Sequence, residues 1–287
     1  MPIDAHTKLC GVIGNPVEHS LSPAIHNAAF QKLGLNFVYL AFRVEDLPGA
    51  VAGMRALGNL RGFSVTIPHK VSLIPLLDEV ETTARHIGAV NTIVIEKGKL
   101  IGYNTDASGA LRALHEGVAG LESGRVLLLG SGGAARAVAF ALGMDPAGRR
   151  IDGLTILAII DDERRRLAKD LRDKTPLSVL DDTLNDQTLR RAIADCQVLV
   201  HCTPLGMHPK VNESCVPAAL LTPNLTIMDV VYNPLETRLL REAKAAGCRT
   251  IRGLEMFLNQ AVAQFELWTG RTAPADVMRA VLESRFS

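Results

Sequence analysis

The feature that most constrains this chain is the run Val126-Leu127-Leu128-Leu129-Gly130-Ser131-Gly132-Gly133-Ala134-Ala135, four apolar residues leading into G-x-G-x-x-A. The apolar run reads as a strand buried on both faces. Gly130 permits a tight turn, Gly132 lets a pyrophosphate approach the backbone, and Ala135 keeps helix and sheet close. Gly133 and Ala134 open a helix whose free N–H groups and positive dipole end suit phosphates. A glycine pattern alone is weak, and could be a turn that only packs a helix on a sheet. In this strand-turn-helix setting it predicts a dinucleotide site.

The strand and helix patterns on either side extend this reading into an α/β chain. Leu9–Gly14, Phe37–Phe42, Gly62–Thr66 and Ala89–Ile95 read as strands, and Leu100–Asn104 follows across a Glu96–Lys99 turn as a hairpin. Pro23–Leu33, Asp46–Leu57 and Pro68–Leu77 carry helical spacing between them. A second series has strands at Val126–Leu129, Thr155–Ile160, Val198–Val200 and Ile227–Tyr232. Helices are predicted at Ala134–Leu142, Arg164–Leu171, Leu189–Ala194 and Leu235–Ala246, a doubly wound parallel sheet. Glu255–Trp268 and Pro274–Glu283 read as closing helices that return to the first domain, and Gly143–Gly153 as a surface loop.

Composition narrows the class. The chain has 287 residues, enough for two domains of about 150. Lys+Arg is 31 against 30 Asp+Glu, a net charge of +1 that argues against a nucleic-acid or polybasic membrane surface. No apolar run approaches the ~20 residues of a membrane span. The five cysteines show no C-x-x-C, so neither a disulfide framework nor a metal site is expected, and a cytoplasmic location is.

Three polar clusters carry candidate chemistry. Ser20 and Ser22 precede a helix, with Ser22 read as N-cap and Pro23 as first helical residue; two hydroxyls at a positive helix end also suit a carboxylate. Lys70 lies in the first turn after Ser64-Val65-Thr66-Ile67-Pro68, where a dipole disfavours a cation, and could equally be a surface lysine. Asn91 interrupts an apolar strand, and Asp106 follows Asn104-Thr105 at another strand end. A lysine and an aspartate held close can pass a proton to a forming alkoxide. Asp161-Asp162-Glu163 ends the second strand of the later series, about thirty residues past the glycines rather than the usual ~20. An acidic group there accepts from ribose hydroxyls and favours NAD. The same residues could simply open a helix, and Arg164, Arg165 and Arg166 keep NADP as the alternative.

Taken together, Gly14–Pro23, Val65–Lys70, Gly88–Thr92, Asn104–Asp106, Gly130–Ala135, Thr203–Met207, Asp229–Thr237 and Gln260 with Trp268–Gly270 resemble the shikimate dehydrogenase family, in order and over nearly the whole chain. The resemblance implies a substrate-binding domain of residues 1–106 and 252–287, a Rossmann-like domain of 107–251, and an active site in the cleft between them. It implies shikimate/3-dehydroshikimate oxidoreduction in aromatic amino acid biosynthesis, on a carboxylated cyclohexene or cyclohexane, in a monomer or homodimer. Lys70 and Asp106 are the implied catalytic pair; Ser20 and Ser22 bind the carboxylate, and Thr66, Asn91, Gln260 and Tyr232 join the substrate site. Thr203, Met207, Gly253 and Met256 border the nicotinamide, and Tyr232 lies near it too.

Departures are Ser64 for a usual Asn, His201-Cys202 for Asn-Ala, Glu255 for a small residue, and acidic residues in place of an Asn-Arg-Thr phosphate clamp. They keep open a quinate or aminoshikimate dehydrogenase using NAD. A non-catalytic ligand sensor is the alternative of another class, disfavoured by the presence of both Lys70 and Asp106.

Overall fold

The alternation of apolar strands and helices is realised as two separate six-stranded sheets. The computed structural model describes residues 3–118, 121, 124–148 and 150–285. It divides into two compact units, residues 1–105 with 260–287 and residues 106–259. The expected loop at Gly143–Gly153 contains position 149, outside the described residues.

The first unit holds β1 (Lys8–Gly14), β2 (Phe37–Arg43), β3 (Leu60–Val65), β4 (Glu79–Val80), β5 (Thr92–Glu96) and β6 (Lys99–Tyr103), in the order β2-β1-β3-β5-β6-β4. β1 is parallel to β2 and β3, whereas β5 runs antiparallel to β3 and β6. Lys97 and Gly98 both take positive φ at the β5–β6 turn, the left-handed pair that a tight hairpin requires. The helices are α1 (Ser22–Lys32), α2 (Leu47–Ala56), α3 (His69–Ser72) and α4 (Thr82–Ile87). One helix expected over Pro68–Leu77 is instead α3 followed by a 3-10 turn at Ile74–Leu76, because Pro75 lacks the N–H a continuing helix needs. Trp268 closes this core by donating its indole N–H to the Ile93 carbonyl at 2.9 Å. Gly62 lies beneath that indole, where a Cβ would stand 2.2 Å from Nε1.

The second unit begins with α5 (Thr105–Gly117) and contains β7 (Arg125–Leu129), α6 (Gly133–Gly143), β8 (Gly153–Ala158), α7 (Asp161–Lys174), β9 (Val179–Thr183) and α8 (Asp186–Ala194). β10 (Val198–His201), β11 (Thr226–Asp229), α9 (Arg238–Ala245) and β12 (Arg249–Ile251) complete the sheet. All its strands are parallel, in the order β12-β11-β10-β7-β8-β9. Numbered from β7, that is the 3-2-1-4-5-6 order of dinucleotide-binding sheets. α10 (Gly253–Thr269) passes from the second unit into the first, and α11 (Ala275–Glu283) packs on α1.

Candidate active site

Three strand ends and one strand start meet at one edge of the first sheet. β1 leaves into Asn15–Leu21, β3 into Thr66–Pro68 and β6 into Asn104-Thr105, while antiparallel β5 enters from Asn91. Backbone bonds fasten these loops: Asn15 N–H to Ile67 O at 2.9 Å, Val65 N–H to Asn91 O at 2.7 Å, and Val90 N–H to Lys70 O at 2.8 Å. Gly14 is pressed against Thr66, leaving no room for a Cβ. The candidates Ser20, Ser22, Thr66, Lys70 and Asn91 are therefore delivered to one edge by topology.

Asn91 is buried and both ends of its amide are hydrogen-bonded, which answers why an amide is tolerated there. Its Oδ1 accepts from Thr105 N–H at 2.7 Å and from Thr92 Oγ1 at 2.8 Å, and its Nδ2 donates to Thr105 Oγ1 at 3.0 Å. A neutral relay continues from it: Gln264 Nε2 donates to Thr92 Oγ1 at 2.9 Å, Ser64 Oγ donates to Gln264 Oε1 at 2.8 Å, and Tyr39 donates to Ser64 Oγ at 2.6 Å. Gln260 is buried one helical turn before Gln264 on α10.

Ser22 requires a correction. Leu21, not Ser22, occupies the N-cap, and it makes no side-chain cap. Ser22 is the first helical residue: its N–H donates to Ser20 Oγ at 3.3 Å and its buried side chain faces the Tyr39 hydroxyl. Pro23 tolerates this because the second helical N–H is unpaired in any helix. Lys70 is half-buried within α3, but a four-residue helix has too small a dipole to make a cation there conspicuous.

In the second unit, Gly130 turns at φ +111°, and a Cβ there would stand 2.9 Å from the Cys202 carbonyl. Gly132 caps α6 without a side chain, and nothing lies within 4 Å of the Cβ positions of Gly132 or Gly133. Ala134 follows, half-buried, in the first turn. This open, uncapped helix start fits a pyrophosphate on its free N–H groups. Ser131 Oγ, in the same loop, bonds Glu163 Oε2 at 3.3 Å.

Asp161, Asp162 and Glu163 form the first turn of α7, and Ile160 is its N-cap, so none of the three caps it. Asp161 accepts from Arg164 at 2.5 Å and from Thr183 Oγ1 at 3.1 Å, and pairs with Arg165 at 3.5 Å. The Thr183 and Arg164 bonds hold its carboxyl below the usual range. Arg164 is buried between Asp161 and Asp181, which it meets at 3.1 Å. In this structure Arg164 is thus turned to Asp161, Asp181 and Thr183.

His201 ends β10 and is buried with Asp229 and Thr237, against a half-buried Thr203. Its Nδ1 lies 2.9 Å from Asp229 Oδ1, and its Nε2 lies 2.5 Å from Thr203 Oγ1. Asp229 also accepts from Thr237 Oγ1 at 2.6 Å and from Val231 N–H at 3.0 Å. Burial alone would lower the His201 pKa. The Asp229 and Cys215 hydrogen bonds and the Asp229 charge outweigh it, and the imidazole is raised from 6.5 to about 9. Nearby, Met207 is exposed, Tyr232 packs on Phe257 at 4.7 Å, and Gly253 lies against the Val230 and Val231 carbonyls; Met256 is buried. Burial, then the Asp106 charge, raises the Tyr232 phenol, which puts Asp106 and Tyr232 in electrostatic reach.

Residues 12–93 match the shikimate dehydrogenase substrate binding domain, and residues 253–283 match the shikimate 5'-dehydrogenase C-terminal domain. A shikimate dehydrogenase (NADP(+)) of Desulforamulus reducens is 45% identical, covering 99% of this chain and 98% of its own. The chain belongs to the shikimate dehydrogenase family. Among solved members of that family and its neighbours, shikimate 5-dehydrogenase from Listeria monocytogenes, in complex with shikimate and NAD, superposes with TM-score 0.91 at 38% identity over 98% of each chain. Quinate dehydrogenase from Corynebacterium glutamicum, in complex with NAD, gives 0.89 at 32% identity, over 97% of this chain and 99% of its own.

Sequence reasoning overlooked Tyr39 and Gln264, the pairing of Ser131 with Glu163 and the pairing of His201 with Asp229. Gln264 left a signal, a second amide four residues after Gln260 on an otherwise apolar helix face. Asp229 and His201 left none, since 28 residues separate them.

Proposed function

We propose that this protein is an NAD(P)-dependent oxidoreductase that interconverts shikimate and 3-dehydroshikimate. The observation that carries the reading is the sheet edge of the first unit, where hydroxyls, an amide and a lysine converge from three loops and one strand start. Such a set suits a small, carboxylated, polyhydroxylated ring. Ser20, whose oxygen is oriented by the Ser22 N–H, donates to the carboxylate, and Thr66, Asn91 and Gln260 border the ring hydroxyls. The relatives' names and the shikimate bound in the Listeria structure support the same substrate.

The nicotinamide, when bound, gives or takes the hydride at the ring carbon. This chain's part is to hold the ring and to move the proton of the reacting oxygen. Lys70 delivers or removes that proton, and Asp106 orients and charges the lysine as its partner. Lys70→Ala should lower kcat by about 10²–10⁴-fold with little change in KM, since proton transfer belongs to the transition state. Asp106→Asn should act alike. A loss confined to KM would reduce Lys70 to a binding group, and an unchanged kcat in Asp106→Asn would dissolve the pair.

Between cofactors, the reading favours NAD. Exposed Ile159 and Ile160 offer no donor to a 2′-phosphate, and Arg164 is occupied by Asp161 and Asp181. The NADP reading retains one specific support, exposed Arg165, together with the names of relatives such as the Desulforamulus enzyme. Comparing kcat/KM for NAD and NADP in the parent, Asp161→Asn and Arg165→Ala decides: a parent preference for NADP that Arg165→Ala abolishes overturns the NAD reading.

A further inference from the structure

We propose that His201 is a positioning residue which, as a cation, turns the Thr203 hydroxyl outward as a hydrogen-bond donor to the dinucleotide. The inference rests on the dinucleotide reading above and begins with proton positions. Asp229 is wholly buried and both its oxygens are acceptors, Oδ1 from the Val231 N–H at 3.0 Å and Oδ2 from Thr237 Oγ1 at 2.6 Å, so the Nδ1 that lies 2.9 Å from Oδ1 carries hydrogen. The state of Nε2 is then the single variable. A neutral imidazole leaves Nε2 as an acceptor, and the Thr203 proton, 2.5 Å away, points inward to it. A cationic imidazole donates from Nε2 instead. Thr203 Oγ1 then accepts from His201 and from the Leu205 N–H at 3.3 Å, and its one proton is forced away from both.

The surroundings select the cation. The titratable groups facing the ring are Asp229 from β11 and Cys215 from the loop after β10, and together they outweigh burial, raising the imidazole to about 9. The outward proton has an acceptor to meet. Thr203 flanks the phosphate loop: its Cγ2 lies 3.5 Å from the position of a Cβ on Gly130, and the adjacent Cys202 N–H is bonded to Leu129 O at 2.8 Å. A dinucleotide held on the glycine loop would therefore lie beside Thr203, within range of its outward proton.

The test is NADH and NADPH affinity, read by nucleotide fluorescence without substrate between pH 7.5 and 10. In the parent, Kd should rise about tenfold as pH passes through 9, the worth of one hydrogen bond to a charged acceptor. Thr203→Ser should keep that rise. Thr203→Val should bind about tenfold more weakly at pH 7.5 and show no rise, and His201→Asn should also be flat. A flat parent profile, or a rise that survives in Thr203→Val, overturns the proposal. Nitrogen NMR of the parent at pH 7.5 should show both His201 ring nitrogens protonated, and a neutral ring overturns it independently of any ligand. Failure of the dinucleotide reading is distinguishable: the parent would bind neither nucleotide at any pH while the NMR result stood.

Discussion

Among the described residues, the most deeply buried histidine of the first unit, His26, and that of the second, His201, are treated in opposite ways. His26, on α1, stacks on Tyr39 with ring centroids 4.6 Å apart and is bounded by Phe265 and Trp268. Neither ring nitrogen has a hydrogen-bond partner among the described residues, although the Gln264 amide is near enough to temper the shift. Burial pushes its pKa down to about 3, so it is neutral. His201, against Asp229, is held as a cation. The residue type is the same; whether a carboxylate shares the desolvated volume decides the charge. Around them, the first unit builds its polar interior from neutral groups, Tyr39, Ser64, Gln264, Thr92 and Asn91, and the second builds one from an ion pair. A neutral network keeps its geometry across pH. A charged one can change donor and acceptor roles within it.

The largest break in the comparison comes from removing the charge partner. Asp229→Ala leaves His201, the Thr237 hydroxyl and the Val231 N–H without their shared acceptor, and breaking a buried pair costs about 3–5 kcal/mol. Urea denaturation at pH 7 measures it. A cost below about 1 kcal/mol would mean that His201 is not held as a cation, and the contrast with His26 would collapse.

The two histidines also predict where stability is lost with pH. His201 has its folded pKa raised, so its contribution is complete below pH 6.5 and is lost as pH rises through about 9. His26 has its folded pKa depressed, so its contribution is present above pH 6.5 and is lost as pH falls toward about 3. Each limb should slope by at most about 1.4 kcal/mol per pH unit. His201→Asn should flatten only the alkaline limb and His26→Phe only the acid limb. One substitution flattening both would show that the units do not handle charge separately.

How much of this was legible in the sequence follows from the range of each interaction. The phosphate loop was legible because strand, turn and helix start are fixed within ten consecutive residues, Val126–Ala135. β9 was overlooked because Val179–Thr183 ends in Asp-Asp-Thr at a sheet edge, where polar side chains cost nothing. α5 was overlooked because Ser108 and Gly109 interrupt its helix-forming residues in the sequence, while its packing supplies what propensity does not. Ser22 was misplaced by one residue. Ser-Pro looks like a cap and first helical residue, but Tyr39, distant in sequence, draws the hydroxyl inward. Pairings such as Ser64–Gln264, 200 residues apart, have no periodic signature at all.

The smallest effect sharpens the neutral side of the comparison. Gln264 Nε2 faces two acceptors, Thr92 Oγ1 at 2.9 Å and the Asn91 carbonyl at 3.4 Å, so its Oε1 is the atom turned to Ser64. Ser64 must then donate to Gln264, and Tyr39 must donate to Ser64. Tyr39→Phe removes that first donor, together with the oxygen that the Ser22 hydroxyl faces, and leaves the protons from Ser64 onward in place. The cost should be about 1 kcal/mol, the net worth of one neutral hydrogen bond, and identical at pH 6.5 and pH 9, because no member of the relay changes charge between them. Ser64→Ala strips both the acceptor of Tyr39 and the donor of Gln264, and should cost more, at the upper end of about 1–3 kcal/mol. Denaturant midpoints for both variants at the two pH values test the direction of the relay. If Tyr39→Phe cost as much as Ser64→Ala, or its cost changed with pH, the protons would not run from Tyr39 toward Asn91.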